Sequence, residues 1–126
     1  MSTRTRLLQI ADLVETIEPK HFNMTLFANS CHTVGCAIGH AMIKGLLPEL
    51  RFYKDRWDNL DIETLDSNHR NFDAIDHVLG LQEGQSDIFT PEYYEDNDLT
   101  ERDEGYKLPP TPQIVAQEIR KLASQL

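Results

Sequence analysis

Apolar residues recur at three- and four-residue intervals in four parts of the chain, which is the spacing of an amphipathic helix. The pattern predicts helices over residues 3–18, from 33 to 43 or 46, over 67–81, and from 112 onward. Each predicted helix follows or begins with a side chain able to cap it, namely Thr3 or Thr5, Thr33, Ser67 or Asn68, and Thr111. Pro19 and Gly80 mark expected helix ends.

Two segments between these helices lack a helical pattern. Residues 48–66 alternate only briefly, and one strand has no obvious partner, so we expect irregular structure or a short helix there. Its large apolar residues are expected to pack inward, namely Phe52, Trp57, Leu60 and Leu65. Residues 82–89 predict one further helical turn. Residues 92–107 predict a polar loop because of their carboxylates, which are Glu92, Glu95, Asp96, Asp98, Glu101, Asp103 and Glu104.

These elements predict a mainly α fold. We expect a single small domain over residues 1–126, with four to five helices, an irregular middle segment and an acidic loop at about 92–107. A chain with 40% hydrophobic and 26% charged residues has the composition of an ordinary soluble globular protein. Because a chain of this length buries about two-thirds of its unfolded surface, it needs no disulfide or metal to hold a core.

The formal net charge of -9 narrows the possible partners. Binding to nucleic acid or to an anionic membrane requires clustered lysine and arginine residues, so we expect neither. No apolar run approaches the length of a membrane span, and no apolar stretch follows a basic start at the N-terminus. With two cysteines and no secretory signal, we expect a cytoplasmic protein with free thiols.

The segment from Cys31 to Met42 is the main candidate for a functional site, because it holds both cysteines and two of the five histidines. Its small residues are spaced by four, with Gly35 before Gly39 and Ala37 before Ala41. This spacing predicts a core helix that a neighbouring element approaches closely, and buried cysteines are common in such positions. Packing therefore explains the glycines, alanines and cysteines with one cause.

Two alternatives give the same segment a chemical role. In the first, Cys31, Cys36 and His40 bind zinc, which prefers thiolate and imidazole ligands, with His32 or another residue as the fourth ligand. In the second, Cys36 is a reactive thiol in the first helical turn, where the helix dipole favours the thiolate, and His40 is its base. The apolar neighbours of Cys36 oppose this role, because burial raises the pKa of a thiol.

The acidic loop is a second candidate surface. Its carboxylates do not follow the spacing of a calcium-binding loop, so a solvated loop is the simpler interpretation. Tyr93, Tyr94 and Tyr106 lie among the carboxylates, and tyrosine is enriched in protein interfaces. These three tyrosines are therefore candidates for a partner-binding surface.

Five stretches of the chain carry a resemblance to a known group of proteins. They are Phe22-Asn23-Met24, Cys31-His32-Thr33-Val34-Gly35-Cys36-Ala37-Ile38-Gly39-His40-Ala41, Leu79-Gly80-Leu81, Phe89-Thr90-Pro91 and Thr111-Pro112. In this order they resemble short, uncharacterised bacterial and phage proteins with the pattern Phe-(Asp/Asn)-Met followed by Cys-Gly-Thr-x-x-Cys-x-x-Gly-(His/Trp)-Ala. His32 departs from that pattern, which has Gly there. The resemblance implies an all-α fold and points to residues 31–41, and it implies no reaction.

We therefore expect a non-enzymatic cytosolic module that binds a protein partner or a second copy of itself and uses no cofactor. The resemblance implies an origin in a phage or mobile element. Amphipathic terminal helices and exposed aromatic residues suit such docking. The alternative is a zinc-binding or reactive-thiol protein built on Cys31, Cys36 and His40.

Overall fold

Helices supply most of the regular structure, and a small antiparallel hairpin interrupts them. The computed structural model describes residues 2–29, 31–57 and 59–126. The α-helices in these ranges are α1 (Thr3–Glu15), α2 (Ala37–Ile43), α3 (Asn71–Leu79), α4 (Pro91–Asp96) and α5 (Pro112–Ser124). The strands are β1 (Leu50–Lys54), β2 (Leu60–Thr64), β3 (Arg102–Asp103) and β4 (Tyr106–Lys107). Two short 3₁₀ helices complete the regular structure, at Pro19–His21 and Gln85–Phe89.

The two terminal helices pack side by side and form the centre of the fold. Helix α5 begins as predicted, because the Thr111 hydroxyl accepts a hydrogen bond from the Ile114 N–H and Pro112 occupies the first turn. At the surface, the Arg120 guanidinium donates to Asp12 and Glu15 of α1, at 2.9 and 2.8 Å. The two helices bury small and branched residues, namely Leu7, Ile10, Ala11 and Val14 from α1, and Val115, Ala116, Ile119 and Ala123 from α5.

Helix α1 is shorter than its apolar pattern indicates. It ends at Glu15 rather than at residue 18, because the N–H and the hydroxyl of Thr16 both donate to the Leu13 carbonyl. Its N-cap is Ser2, whose side chain accepts from the Thr5 N–H, so the prediction of Thr3 or Thr5 as the cap is wrong. The hydroxyl of Thr3 donates instead to the last residue of α3, so the predicted cap joins two helices.

Helix α3 also starts later than predicted. It begins at Asn71, because the preceding residues form the turn out of β2, in which Ser67 has a φ of 62°. The amide oxygen of Asn71 accepts a hydrogen bond from the Ile62 N–H at 3.2 Å and ties the start of the helix to β2. The predicted end is confirmed, since Gly80 closes α3 in the left-handed conformation with a φ of 70°.

Residues 48–66 contain a β-hairpin, so the prediction of irregular structure or a short helix is wrong. Strand β1 pairs antiparallel with β2, with Leu50 opposite Thr64 and Lys54 opposite Leu60. The partner of β1 is the alternating stretch 60–64. Strand β2 supplies Ile62 to the core and β1 supplies Leu50, while Arg51 and Lys54 of β1 are exposed.

Two of the four hairpin residues expected to pack inward are exposed. Trp57, in the turn between the strands, is 67% exposed, and Leu65, just after β2, is 59% exposed. Phe52 and Leu60 are half-buried. The inward packing predicted for Trp57 and Leu65 is therefore wrong, because the hairpin directs both positions away from the core.

The acidic segment 92–107 is not the continuous loop that its carboxylates predict. Helix α4 occupies its first part, with the Thr90 hydroxyl accepting from the Tyr93 N–H at 3.4 Å and Pro91 in the first turn. Strands β3 and β4 form a second, very short hairpin in its last part. Six residues are too few to produce a periodic apolar pattern, so the sequence does not predict α4.

One hydrophobic core joins the helices to the hairpin. Its largest fully buried side chains are Tyr94 and Phe89, which lie in α4 and in the 3₁₀ helix before it. No helix within the described ranges has both the length and the apolar character needed to cross a membrane.

Candidate functional site

The segment predicted to start α2 at Thr33 forms an ordered turn before the helix. Helix α2 begins at Ala37, and Cys36 rather than Thr33 is its N-cap. The side chain of Asn29 holds the turn, because its oxygen accepts from the N–H groups of Thr33 and Val34 at 2.8 and 3.1 Å. Thr33 therefore stabilises the approach to α2 rather than its first turn.

Gly35 and Gly39 allow residues 27 and 28 to cross the start of α2 at very short range. A Cβ at Gly35 would lie 2.3 Å from the Phe27 carbonyl oxygen, and a Cβ at Gly39 would lie 1.6 Å from the same atom. No side chain fits at either position, because the neighbouring atoms belong to the backbone. The spacing of four residues thus reflects contact between two backbone segments, as the packing interpretation predicts.

Cys36 lies in the core, where its surroundings favour the protonated thiol over the thiolate. Its side chain is 2% exposed, and its Sγ accepts a hydrogen bond from the Gly39 N–H at 3.5 Å. Burial raises the pKa of Cys36 to about 11, although nearby backbone N–H groups oppose the increase. A nucleophile or zinc ligand needs the thiolate, which this environment disfavours at neutral pH. Cys31 is exposed, and both thiols are free.

The ring of His40 is held by the backbone. Its Nε2 lies 2.7 Å from the carbonyl oxygen of His21, so this nitrogen donates a hydrogen bond and is not available as a ligand. Within the part of the chain that the structure describes, no three His, Cys, Asp or Glu side chains are grouped so that they could hold a metal ion. Cys31, Cys36 and His40 are among the residues so described.

The three candidate partner-surface tyrosines lie in different environments. Tyr94 is fully buried, and its hydroxyl donates to the Ile88 carbonyl at 2.8 Å, so it belongs to the core rather than to a surface. Tyr93 is half-buried and donates to Glu118 at 2.7 Å, and this hydrogen bond raises the pKa of Tyr93 to about 12. Tyr106 is 77% exposed. The structure therefore does not bring the three together as one exposed patch.

A groove with a volume of about 840 Å³ opens between the segment before α2, the hairpin and the start of α4. We call it the groove. Its apolar walls include Met24, Phe27, Leu60, Phe72 and Pro91. Pockets that bind ligands typically have volumes of about 300–1,000 Å³, and the volume of the groove lies in this range. About half of the described residues that line it are polar or charged, so its lining is more polar than that of a typical small-molecule pocket.

Acidic side chains predominate among the charged residues of the groove. Asp55 and Asp61 come from the hairpin and Glu92 from α4, and Lys54 also lines the groove. The carboxylate of Asp61 accepts a weak hydrogen bond from the hydroxyl of Tyr53 at 3.4 Å. Among the described residues that line the groove, three carboxylates against one ammonium favour a cationic ligand.

Sequence reasoning singled out some of the residues that line the groove but did not predict the groove itself. Met24, Cys36 and Phe89–Pro91 line it, and each belongs to one of the stretches quoted for the resemblance. The residues from the hairpin were missed, because the pairing of β1 with β2 was not predicted. The alternation of apolar residues at 60–64 was the available signal for that pairing.

Comparisons of the chain with protein-family models, curated proteins and solved structures return no match. A function therefore has to be inferred from the groove and the residues around it.

Proposed function

We propose that the protein is a non-enzymatic binding module that holds a segment of a protein partner in the groove. The groove itself carries this proposal. Its volume of about 840 Å³ accommodates several side chains of a bound segment, and its apolar walls supply the contact area that stabilises such a complex. Its polar groups would fix the position of the bound segment.

The state of the one thiol in the groove supports binding rather than catalysis. Cys36 lines the groove, but burial raises its pKa to about 11, so it is a poor nucleophile. The Nε2 of His40, one of the two ring nitrogens that a thiol mechanism could use as a base, donates to the His21 carbonyl. The raised pKa of Cys36 also weighs against a zinc site on Cys31, Cys36 and His40, because zinc binds the thiolate.

We also propose that the chain acts in the cytoplasm and belongs to the group of bacterial and phage proteins that it resembles. Free thiols at Cys31 and Cys36 support the first proposal. The second rests on the stretches that carry the resemblance, of which Met24, Cys36 and Phe89–Pro91 line the same groove.

To test this proposal, peptides are selected from a displayed random library. Their affinities are then measured for the wild-type protein and for two variants, Thr25→Trp and Ser124→Trp. Thr25→Trp fills the groove from an exposed position in its lining. Ser124→Trp is the matched control, because it places the same ring at an exposed position of α5 outside the groove. Circular dichroism first establishes that both variants are folded.

We expect selected peptides to bind the wild-type protein and Ser124→Trp with similar affinity and Thr25→Trp at least about tenfold more weakly, a difference of about 1.4 kcal/mol. Equal binding by all three proteins would place the peptide site elsewhere. Failure to recover any binding peptide would contradict the proposed function.

A further inference from the structure

The turn between β1 and β2 carries the chain's single tryptophan, which is exposed to solvent. Trp57 is 67% exposed. The carboxylate of Asp55 accepts hydrogen bonds from the N–H groups of Trp57 and Asn59, at 2.8 and 2.9 Å. The N–H of Asp55 also donates to the Asn59 carbonyl at 2.9 Å.

Arg56 orients the indole ring. Its guanidinium carbon lies 4.1 Å from the centroid of the Trp57 ring, which is the geometry of a cation–π contact. The guanidinium covers one face of the ring, and the exposed fraction of Trp57 shows that much of the remaining ring surface is accessible. Tryptophan is among the residues most enriched in the energetically dominant parts of protein interfaces.

The residues that fix this turn also belong to the groove. Asp55 and Asn59, which hold the backbone on either side of Trp57, both line the groove, and so do Leu60 and Asp61 at the start of β2. A polypeptide segment that fills the hairpin end of the groove is therefore brought next to the turn. Trp57 lies between two residues that line the groove, Asp55 and Asn59, and does not line it itself.

The charges of the groove and of the whole chain indicate that the bound segment is basic. Of the described residues that line the groove, Asp55, Asp61 and Glu92 are acidic and Lys54 is basic, and the chain carries a net charge of -9. A lysine or arginine side chain in the bound segment would be attracted to these carboxylates at contact and to the acidic protein at longer range. An acidic segment would be repelled by both.

We propose that the partner is a basic polypeptide segment whose apolar side chains fill the groove. A lysine or arginine side chain of this segment lies among Asp55, Asp61 and Glu92, and Trp57 covers the segment at the hairpin end of the groove. This inference rests on the proposed function and specifies its ligand. The groove supplies the apolar contact, the carboxylates supply the preference for a cation, and the hairpin turn supplies an additional anchor.

The test uses three acetylated and amidated nonapeptides with the same leucine and phenylalanine positions and no tryptophan. The remaining positions are arginine in the first peptide, glutamine in the second and glutamate in the third. Calorimetry gives the affinities, and the emission of Trp57 reports the environment of the indole ring. We expect the arginine peptide to bind at least about tenfold more tightly than the glutamine peptide and the glutamate peptide to bind most weakly.

Variants test separately the preference for a basic segment and the role of Trp57 as an anchor. We expect Asp61→Asn to reduce the preference for arginine over glutamine, and Trp57→Ala to weaken binding of the arginine peptide about tenfold, the usual scale for a tryptophan anchor. Leu65→Ala is the matched control on the same hairpin, because Leu65 is exposed and does not line the groove. Binding should shift the emission of Trp57 to shorter wavelength as water leaves the ring.

Each of the other possible outcomes would overturn one specific part of this inference or of the proposed function. Equal affinities for the three peptides, with binding lost in Thr25→Trp, would overturn the basic preference and leave the proposed groove function intact. Unchanged emission together with full affinity in Trp57→Ala would remove the hairpin anchor. No binding by any peptide, or binding that Thr25→Trp does not affect, would contradict the proposed function as well. Binding that disappears because the protein self-associates, seen by sedimentation, would assign the groove to a second copy of the chain.

Discussion

Gly39 lies at the closest contact in the fold, where a Cβ would overlap the Phe27 carbonyl oxygen at 1.6 Å. We expect Gly39→Ala to lower the free energy of unfolding by about 3 kcal/mol, because a backbone segment has to move to admit the methyl group. Urea unfolding followed by circular dichroism measures this change.

Gly45→Ala is the control for that substitution. Gly45 has a φ of 77°, and no described atom lies within 4 Å of the position that an alanine Cβ would take, so alanine there meets backbone strain without a clash. We expect a loss of about 1 kcal/mol. Equal losses for the two variants would mean that the approach of Phe27 to α2 is not the reason for Gly39.

Burial of Cys36 links its ionisation to stability. The folded-state pKa is raised from its usual value of 9.0 to about 11, so the unfolded chain ionises this thiol at lower pH than the folded protein does. The stability that the buried, protonated Cys36 thiol contributes is fully present below the pKa of this thiol in the unfolded chain. It is lost as the pH rises through the pKa of the thiol in the folded protein. A shift of this size corresponds to about 3 kcal/mol at most.

We therefore expect the wild-type protein to lose more stability than Cys36→Ala between about pH 8 and pH 11, because only the wild type releases this proton on unfolding. Urea unfolding of both proteins across this range gives the difference, and other groups that titrate there are common to both. Parallel pH profiles would show that the Cys36 thiol does not titrate as its burial requires.

At the scale of elements, Tyr94 attaches α4 to the rest of the fold. Six residues are too few for an isolated helix to be stable, so α4 depends on tertiary contacts. We expect Tyr94→Phe to lower the free energy of unfolding by about 1–2 kcal/mol, because the buried Ile88 carbonyl loses its donor. Tyr106→Phe should leave it unchanged, since Tyr106 is exposed. Similar effects in both variants would contradict this role.

The elements predicted correctly are those whose signals are local. Thr111 and Pro112 start α5, and Gly80 closes α3, because caps act on the residues next to them. The hairpin was missed because its turn has none of the usual two-residue turn sequences, and its second strand was not recognised as a partner for the first. Helix α4 was missed because tertiary contacts rather than periodicity stabilise it.

At the scale of the whole molecule, the candidate site could be predicted only in part. Sequence reasoning selected residues 31–42, which supply Cys36 to the groove and the glycines that let Phe27 pack against α2. It did not predict the groove, because the walls come from separate segments that meet only in the folded chain. The burial that raises the pKa of Cys36 is likewise a property of the assembled core, although the apolar neighbours of Cys36 indicated its direction.

The net charge of -9 acts on folding and on binding in opposite ways. Like charges disfavour the compact state, and the same charges attract a basic segment, so added salt screens a repulsion in the first case and an attraction in the second. Exposed ion pairs such as those of Arg120 with Asp12 and Glu15 contribute little to either effect. We expect sodium chloride to raise the free energy of unfolding while it weakens binding of the arginine peptide.

Unfolding and calorimetric titrations between about 50 and 500 mM sodium chloride, across which the screening length falls severalfold, measure both trends on one protein. The glutamine peptide is the control, because its affinity should change little over this range. If salt destabilises the fold, surface ion pairs outweigh the net charge. If salt leaves the affinity of the arginine peptide unchanged, apolar contact alone holds the segment, and the carboxylates of the groove do not select it.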